Sequence, residues 1–253
     1  MRKIFILFFI FTAVFVNAQN SNDTISTQNL EEIVVTSSRP INQNLSAKML
    51  DNQAIQMQNN GVNLPFLLTS TPSLVATSDD GLGIGYTYFR VRGSDHTRIN
   101  MTVNGVPLND SESQTVFWVN MTDFASSLNN VQVQRGVGSS QNGAAAFGAN
   151  INMQTDIIQE KPYASLAFNG GMYNTFRETA KIGTGLLPSG FAFDARFSKV
   201  NSDGYLERAK SDLYSYHASA AFFRRNTMVK MLVFGGKEKT YMAWDGIDAE
   251  TLE

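Results

Sequence analysis

The chain contains no cysteine. That excludes a disulfide scaffold and a thiolate metal site, and it leaves an oxidising compartment open without requiring one. Histidine is almost as scarce. His96 and His217 are the only two, and they fall in different predicted domains, which argues against a paired-histidine metal centre. Neither charge is in excess: the formal net charge is -2 and the pI about 5.7, so nothing points to nucleic acid. Enzyme signatures are missing as well. Gly138-Ser139-Ser140-Gln141-Asn142-Gly143-Ala144-Ala145 has the glycine spacing of a phosphate loop but no lysine for the phosphates. Gly81-Leu82-Gly83-Ile84-Gly85-Tyr86 lacks the third glycine of the dinucleotide fingerprint. No enzyme activity and no cofactor are expected.

Aromatic residues and glycine are plentiful, with 18 Phe, 8 Tyr and 19 Gly against 6 Pro, and this balance favours strands over helices. The N-terminus is a processing segment. Arg2-Lys3 is followed by an apolar run over residues 4–16, shorter than the roughly 20 residues of a spanning helix. Val16-Asn17-Ala18 offers small residues for cleavage before Gln19, so residues 1–18 read as a signal peptide and the chain as exported. Residues 19–30 are polar and read as a flexible tail. Glu31-Glu32-Ile33-Val34-Val35-Thr36 breaks that pattern, because consecutive β-branched residues favour an extended backbone.

Residues 40–155 read as one small α+β domain punctuated by glycine. Phe89-Arg90-Val91-Arg92-Gly93 and Val131-Gln132-Val133-Gln134-Arg135-Gly136 are short alternating strands that end in glycine. Val103-Asn104-Gly105-Val106 is a hairpin signal, since asparagine and glycine accept positive φ cheaply. Thr122 or Asp123 is placed to cap a brief helix through Leu128.

After Lys161-Pro162 the pattern changes to segments of the length that a tilted membrane strand needs: 163–172, 175–185, 191–200, 213–223 and 227–235. The third is clearest, with Phe191, Phe193, Ala195 and Phe197 on one face and Ala192, Asp194, Arg196 and Ser198 on the other. In the fourth, Tyr214, Tyr216, Ala218, Ala220 and Phe222 oppose Ser215, His217 and Ser219. A soluble sandwich also alternates. Mid-strand charges on the polar face, and connections that alternate between short and long, favour an outer-membrane barrel. His217 reads as a polar wall residue of its lumen. The stretch after Gly235 reads as an outer loop.

On these residues the chain resembles the TonB-dependent outer-membrane receptors, over nearly all of its length. Glu31 to Thr36 is similar to their TonB box, and Phe89 to Gly93 and Val131 to Gly136 to the two Arg-Gly strands of their plug. Val103-Asn104-Gly105-Val106-Pro107-Leu108 is similar to the plug hairpin, with Asn104 where aspartate is usual. Gly143 to Asn152 is similar to its closing segment, with Ala149 in place of a common glycine. The resemblance implies an α+β plug domain followed by antiparallel β-strands of a transmembrane β-barrel, here incomplete. A plugged barrel of this kind has about 22 strands. Five cannot close around a plug, so the chain is expected to be the N-terminal part of a longer protein, with the tail and box at 19–39, the plug at 40–155 and the first barrel strands at 161–253.

The resemblance also implies roles. Glu32, Ile33, Val34, Val35 and Thr36 would bind TonB by adding a strand to it. Arg92 and Arg135 would pair with carboxylates of the barrel wall, with an ion pair inside the plug as the alternative. Ligand contacts would come from two outward plug loops, through Asp79, Asp80, Tyr86 and Tyr88 in one and Asn109, Asp110, Glu112 and Trp118 in the other. The acids and aromatics suit an amphipathic or cationic ligand. The implied function is energy-coupled uptake of a scarce nutrient, such as an iron chelate or cobalamin, across the outer membrane, with TonB, outer-membrane lipid and the nutrient as partners and no nucleic acid. The alternatives are a periplasmic plug-like binding module without transport and a secreted β-sandwich adhesin or enzyme.

Overall fold

The computed structural model describes residues 47–136, 147–155, 158–224 and 227–241. The signal peptide, the expected TonB box with Glu32 to Thr36, and the Gly138 to Ala145 loop lie outside them. The described residues form two sheets and a hairpin. The first sheet comprises β1 (Ala47–Asp51), β4 (Ile99–Val103), β5 (Val106–Pro107), β6 (Leu128–Arg135) and β7 (Ala149–Thr155), in the order β1-β6-β7-β4-β5. β4 and β7 are parallel, and the other neighbours are antiparallel. β2 (Leu74–Ser78) and β3 (Thr87–Val91) form a separate hairpin.

Local chemistry explains the connections. The Asp51 side chain accepts from the Ala54 amide at 2.8 Å and so caps helix α1 (Asn52–Gln58). Pro65 sits in the first turn of the short helix α2 (Leu64–Leu67), where its missing N–H is not needed. The expected hairpin forms with Asn104 at φ 51° and Gly105 at φ 82°, and Val103 pairs with Val106.

The two faces of the first sheet differ in chemistry. Ile99, Met101, Val103, Val131, Val133, Ile151 and Met153 are buried in one core with Ile55, Leu64, Leu67, Leu68 and Phe89. The alternate residues carry side-chain amides and hydroxyls that bond across the strands: Asn100 to Asn150 at 2.9 Å, Thr102 to Asn152 at 2.7 Å and Asn130 to Gln154 at 2.8 Å. The period-2 pattern of this region is therefore a core face backed by an amide ladder.

The second sheet contains β8 (Tyr163–Gly171), β9 (Thr175–Gly183), β10 (Phe191–Ser202), β11 (Lys210–Arg224) and β12 (Thr227–Tyr241), each antiparallel to the next. Its faces are inverted relative to a soluble sandwich. On β10, Phe191, Phe193 and Phe197 are exposed, whereas Ala192, Arg196 and Ser198 on the opposite face are buried. On β11, Ser215, His217 and Ser219 are buried, and Tyr216 is half exposed. Leu166 and Phe168 on β8 and Val229 and Met231 on β12 continue the exposed apolar face. Apolar outside and polar inside is the pattern of a membrane β-wall.

Two expected boundaries are corrected. β11 spans 15 residues instead of 11, and β12 runs to Tyr241, so residues 236–241 are strand, not outer loop. Beyond Gly235 both faces carry polar residues (Lys237, Glu238, Lys239, Thr240), and above an apolar belt the alternation that marks a strand disappears. Among the described residues the wall is open, with β8 and β12 each paired on one side only.

Phe193→Arg places a charge in the middle of the exposed apolar face. It should destabilise the bilayer-embedded chain by about 2–4 kcal/mol, while Phe193→Leu should cost far less. Urea unfolding in lipid vesicles reads the difference. On a water-facing sheet the arginine would be harmless.

Candidate functional site

The plug-type domain meets the strand wall at one buried carboxylate. Asp123 does not cap a helix as expected. A 3₁₀ turn follows at Phe124–Ser127, Asp123 stands in the left-handed region at φ 51°, and its side chain makes no bond to the turn's amides. The carboxylate points at the wall instead and is fully buried.

Its partners come from both sides. From the plug, Asn59 Nδ2 and Ser126 Oγ donate to Oδ1 at 3.0 and 2.6 Å. From the wall, Thr179 Oγ1 of β9 and Ser198 Oγ of β10 each donate to Oδ2 at 2.6 Å. Arg196 Nη1 lies 3.4 Å from Oδ2 and donates to the Asp123 carbonyl at 2.9 Å. Arg177 Nε approaches Oδ1 to 2.9 Å as a charge contact without hydrogen-bond geometry. The Arg177 Nη1 donates to the Asn59 carbonyl at 3.0 Å and to Asn169 Oδ1 at 2.8 Å, and its Nη2 bonds Ser126 Oγ. One strand over, Ser215 Oγ of β11 donates to the Thr122 carbonyl at 2.6 Å.

Burial pushes the Asp123 carboxyl upward. Arg196 and Arg177, with hydrogen bonds from Ser126 and Ser198, outweigh it and hold the group below the usual carboxylate range. The site is therefore an ionised acid between two guanidinium groups. Sequence reasoning placed Arg196 on a polar face but gave it no partner. The available signal was Arg177 and Arg196 themselves, mid-strand charges on an inward face that require an opposite charge.

Apolar contacts flank this centre. Ile84 and Val119 of the plug bury with Val200 of β10 and Leu213 of β11. Phe124 packs on Phe234 of β12 at 5.1 Å between ring centroids and meets His217 edge-on at 6.4 Å, so His217 is an inward wall residue as expected. Lys230 Nζ of β12 donates to Thr155 Oγ1 at 3.0 Å.

The outward loop residues separate into framework and rim. Asp80 is buried, and its carboxylate accepts from the amides of Leu82, Gly83 and Ile84 at 2.9 to 3.2 Å. Its carbonyl accepts from the Tyr205 amide at 2.8 Å. These bonds make Asp80 shape the loop and tie it to Tyr205 and Leu206. Gly83 is needed there: at φ +89° an added Cβ would lie 2.7 Å from the Phe66 ring. Asn109 is likewise structural, accepting from the Met101 amide at 2.8 Å and donating to the Ile99 and Gln114 carbonyls at 2.9 Å. Asp110 is exposed and accepts from the Glu112 and Ser113 amides. Glu112 is exposed, and Trp118 is buried against Phe89, ring to ring at 6.3 Å.

Asp79, Tyr86 and Tyr88 remain at the rim. The Tyr88 hydroxyl donates to Asp79 Oδ2 and the Tyr86 hydroxyl to Glu238 Oε1 of β12, each at 3.4 Å. Desolvation is the main cause that pushes the pKa of Asp79 and of both phenols above its ordinary value; the neighbouring acids add to it, and the Tyr88 hydrogen bond pulls Asp79 the other way.

Arg92 and Arg135 gather at one end of the first sheet. Arg92 is exposed at φ 51°, and its Nη1 lies where a Cβ on Gly136 would come within 2.7 Å, so Gly136 is the space that the guanidinium fills. Arg135 Nη1 donates to the Pro72 carbonyl at 3.4 Å. A different ion pair joins plug and described strands, in which the plug supplies the acid and the wall the arginines.

Residues 39–150 match the family model described as the TonB-dependent receptor plug domain. That stretch belongs to the plug-domain family of the TonB-dependent receptors. Among solved structures, it superimposes on the pyoverdine outer-membrane receptor FpvA of Pseudomonas aeruginosa PAO1 with a TM-score of 0.61 at 16% identity, over 76% of this chain and 27% of that one. The copper transporter OprC gives 0.66 at 10% identity, over 81% and 33%. The ferric citrate transporter FecA, unliganded, gives 0.61 at 15% identity, over 78% and 31%. The chain thus spans about a quarter to a third of the length of these three proteins. No curated protein matches it.

Asp123→Asn would leave Arg177 and Arg196 buried without their counter-charge. It should cost the plug–wall contact about 3–5 kcal/mol, measured by denaturant release of the plug followed by limited proteolysis. Because the folded carboxyl is held below its usual value, its stabilisation is complete above the unfolded value near 3.9 and fades as pH falls through the lower folded value. The native chain should therefore show flat plug retention from pH 5 to 8 and lose it only under stronger acid.

Proposed function

We propose that this chain is the N-terminal part of a TonB-dependent transporter in the outer membrane, with the plug seated against the lumen side of its first barrel strands. The observation that carries the proposal is the ionised Asp123 between Arg177 and Arg196, on a wall whose other face is apolar. A periplasmic module without transport would expose Phe168, Phe193 and Met231 to water, which is costly for a soluble protein.

Further strands would pair with the open edges of β8 and β12, since an unpaired backbone group in lipid costs several kcal/mol. Arg92 and Arg135 would meet carboxylates on those strands. The segment from Glu32 to Thr36, on the periplasmic side, would add as a strand to TonB, which would couple inner-membrane energy to release of the plug. FpvA is described with pyoverdine, OprC as a copper transporter and FecA as a ferric citrate transporter. A scarce metal chelate or a nutrient of similar size is the cargo this reading favours. Of the outward residues, Asp79, Tyr86, Tyr88, Asp110 and Glu112 would face it.

Val34→Pro tests the coupling, because proline removes an amide donor from the strand that TonB would pair with. In cells carrying the full-length gene, energised uptake should fall to background. Ligand binding to isolated outer membranes should stay within about twofold of native, since TonB takes no part in it. Uptake that survives the proline would overturn the assigned TonB box.

A further inference from the structure

One cavity of the plug has a chemistry that the uptake reading does not specify. It holds about 140 Å³ between the β2–β3 hairpin and the loop that ends at Trp118. Tyr86, Tyr88, Phe117 and Trp118 line it, with Val116, His96 and three small hydroxyl side chains making up the rest of the wall. Tyr88 and His96 lie ring to ring at 5.9 Å, and Trp118 is fixed from behind by Phe89. Phe117, one of the lining rings, is half exposed.

Size and charge restrict the occupant. A cavity of about 150 Å³ accepts a group as large as one benzene ring, so a whole metal chelate does not enter. No lysine or arginine lines the space. Both phenol oxygens are bonded to carboxylates, Tyr86 to Glu238 and Tyr88 to Asp79, so negative charge stands beside two of the four aromatic rings. Aromatic faces carry negative potential and attract cations within about 6 Å of the ring centre. Neighbouring carboxylates reinforce that preference.

We infer that this cavity is an aromatic cage for a compact organic cation, such as a quaternary ammonium group, either free or as the head of a larger ligand. The inference rests on the receptor reading for its setting, and it deepens that reading by naming the part of the ligand that the plug itself would bind. Tyr88 is the key wall, because its ring faces the cavity while its hydroxyl holds Asp79 beside it.

The test uses the whole chain, purified in detergent micelles, and two ligands of the same shape. Choline carries the positive charge, and 3,3-dimethylbutan-1-ol replaces the charged nitrogen with carbon. Calorimetry should show saturable binding of choline, roughly tenfold or more tighter than its neutral twin. Tyr88→Phe should retain that preference, and Tyr88→Leu should abolish it. Equal affinity for both ligands, or no saturable choline binding, overturns the cage without reference to any variant. Discrimination by the purified chain, together with a full-length gene that supports no energised uptake, would support the cage and count against the transport reading alone. Uptake of a nutrient without discrimination would count against the cage alone.

Discussion

A single buried carboxylate governs how the two halves of this chain fit together. Asp123 bonds plug residues through Oδ1 and wall residues through Oδ2, so one side chain belongs to both parts. Its left-handed backbone turns it toward the wall. The partners are spaced along the strands to meet it: Arg177 and Thr179 alternate on β9, and Arg196 and Ser198 on β10, all on the inward face. Moving any of these by one residue would point it into the apolar exterior.

A buried ion pair adds little net stability compared with apolar packing, because desolvation offsets the attraction. It does confer position and reversibility. An apolar contact between plug and wall would expose oily surface whenever it opened. Hydroxyls, amides and guanidinium groups can rehydrate when such a contact opens. In the proposed transporter, the mixture found here, an ionised centre flanked by small apolar clusters, would suit a seal that is tight at rest and openable on demand. The amide ladder on the first sheet is similar in kind, because it keeps that face polar with side chains bonded across the strands.

Much of this arrangement was legible in the residues. The exposed Phe191, Phe193 and Phe197 and the buried Arg196 and Ser198 follow directly from period-2 alternation. The Asn104-Gly105 hairpin follows from the conformations those residues accept. What escaped depends on tertiary neighbours. Asp123 and Ser198 are 75 residues apart, and nothing local distinguishes an acid that caps a turn from one that crosses to a wall. Asp79 and Asp80 are adjacent, yet only Asp80 is consumed by its own loop, because backbone geometry aims the two side chains in different directions. The ends of β11 and β12 escaped because strands that rise above an apolar belt lose the contrast that reveals them.

A double-mutant cycle on Asp123 and Arg196 tests the central claim most directly. Asp123→Asn, Arg196→Gln and the double variant are compared with the native chain by denaturant unfolding of the plug in micelles. If the pair joins plug to wall, the double variant will be less destabilised than the sum of the single variants. The coupling should be of order 1–3 kcal/mol and persist in high salt, because the pair is buried. Additive losses, or a coupling that vanishes with salt, would contradict the claim that this contact seats the plug.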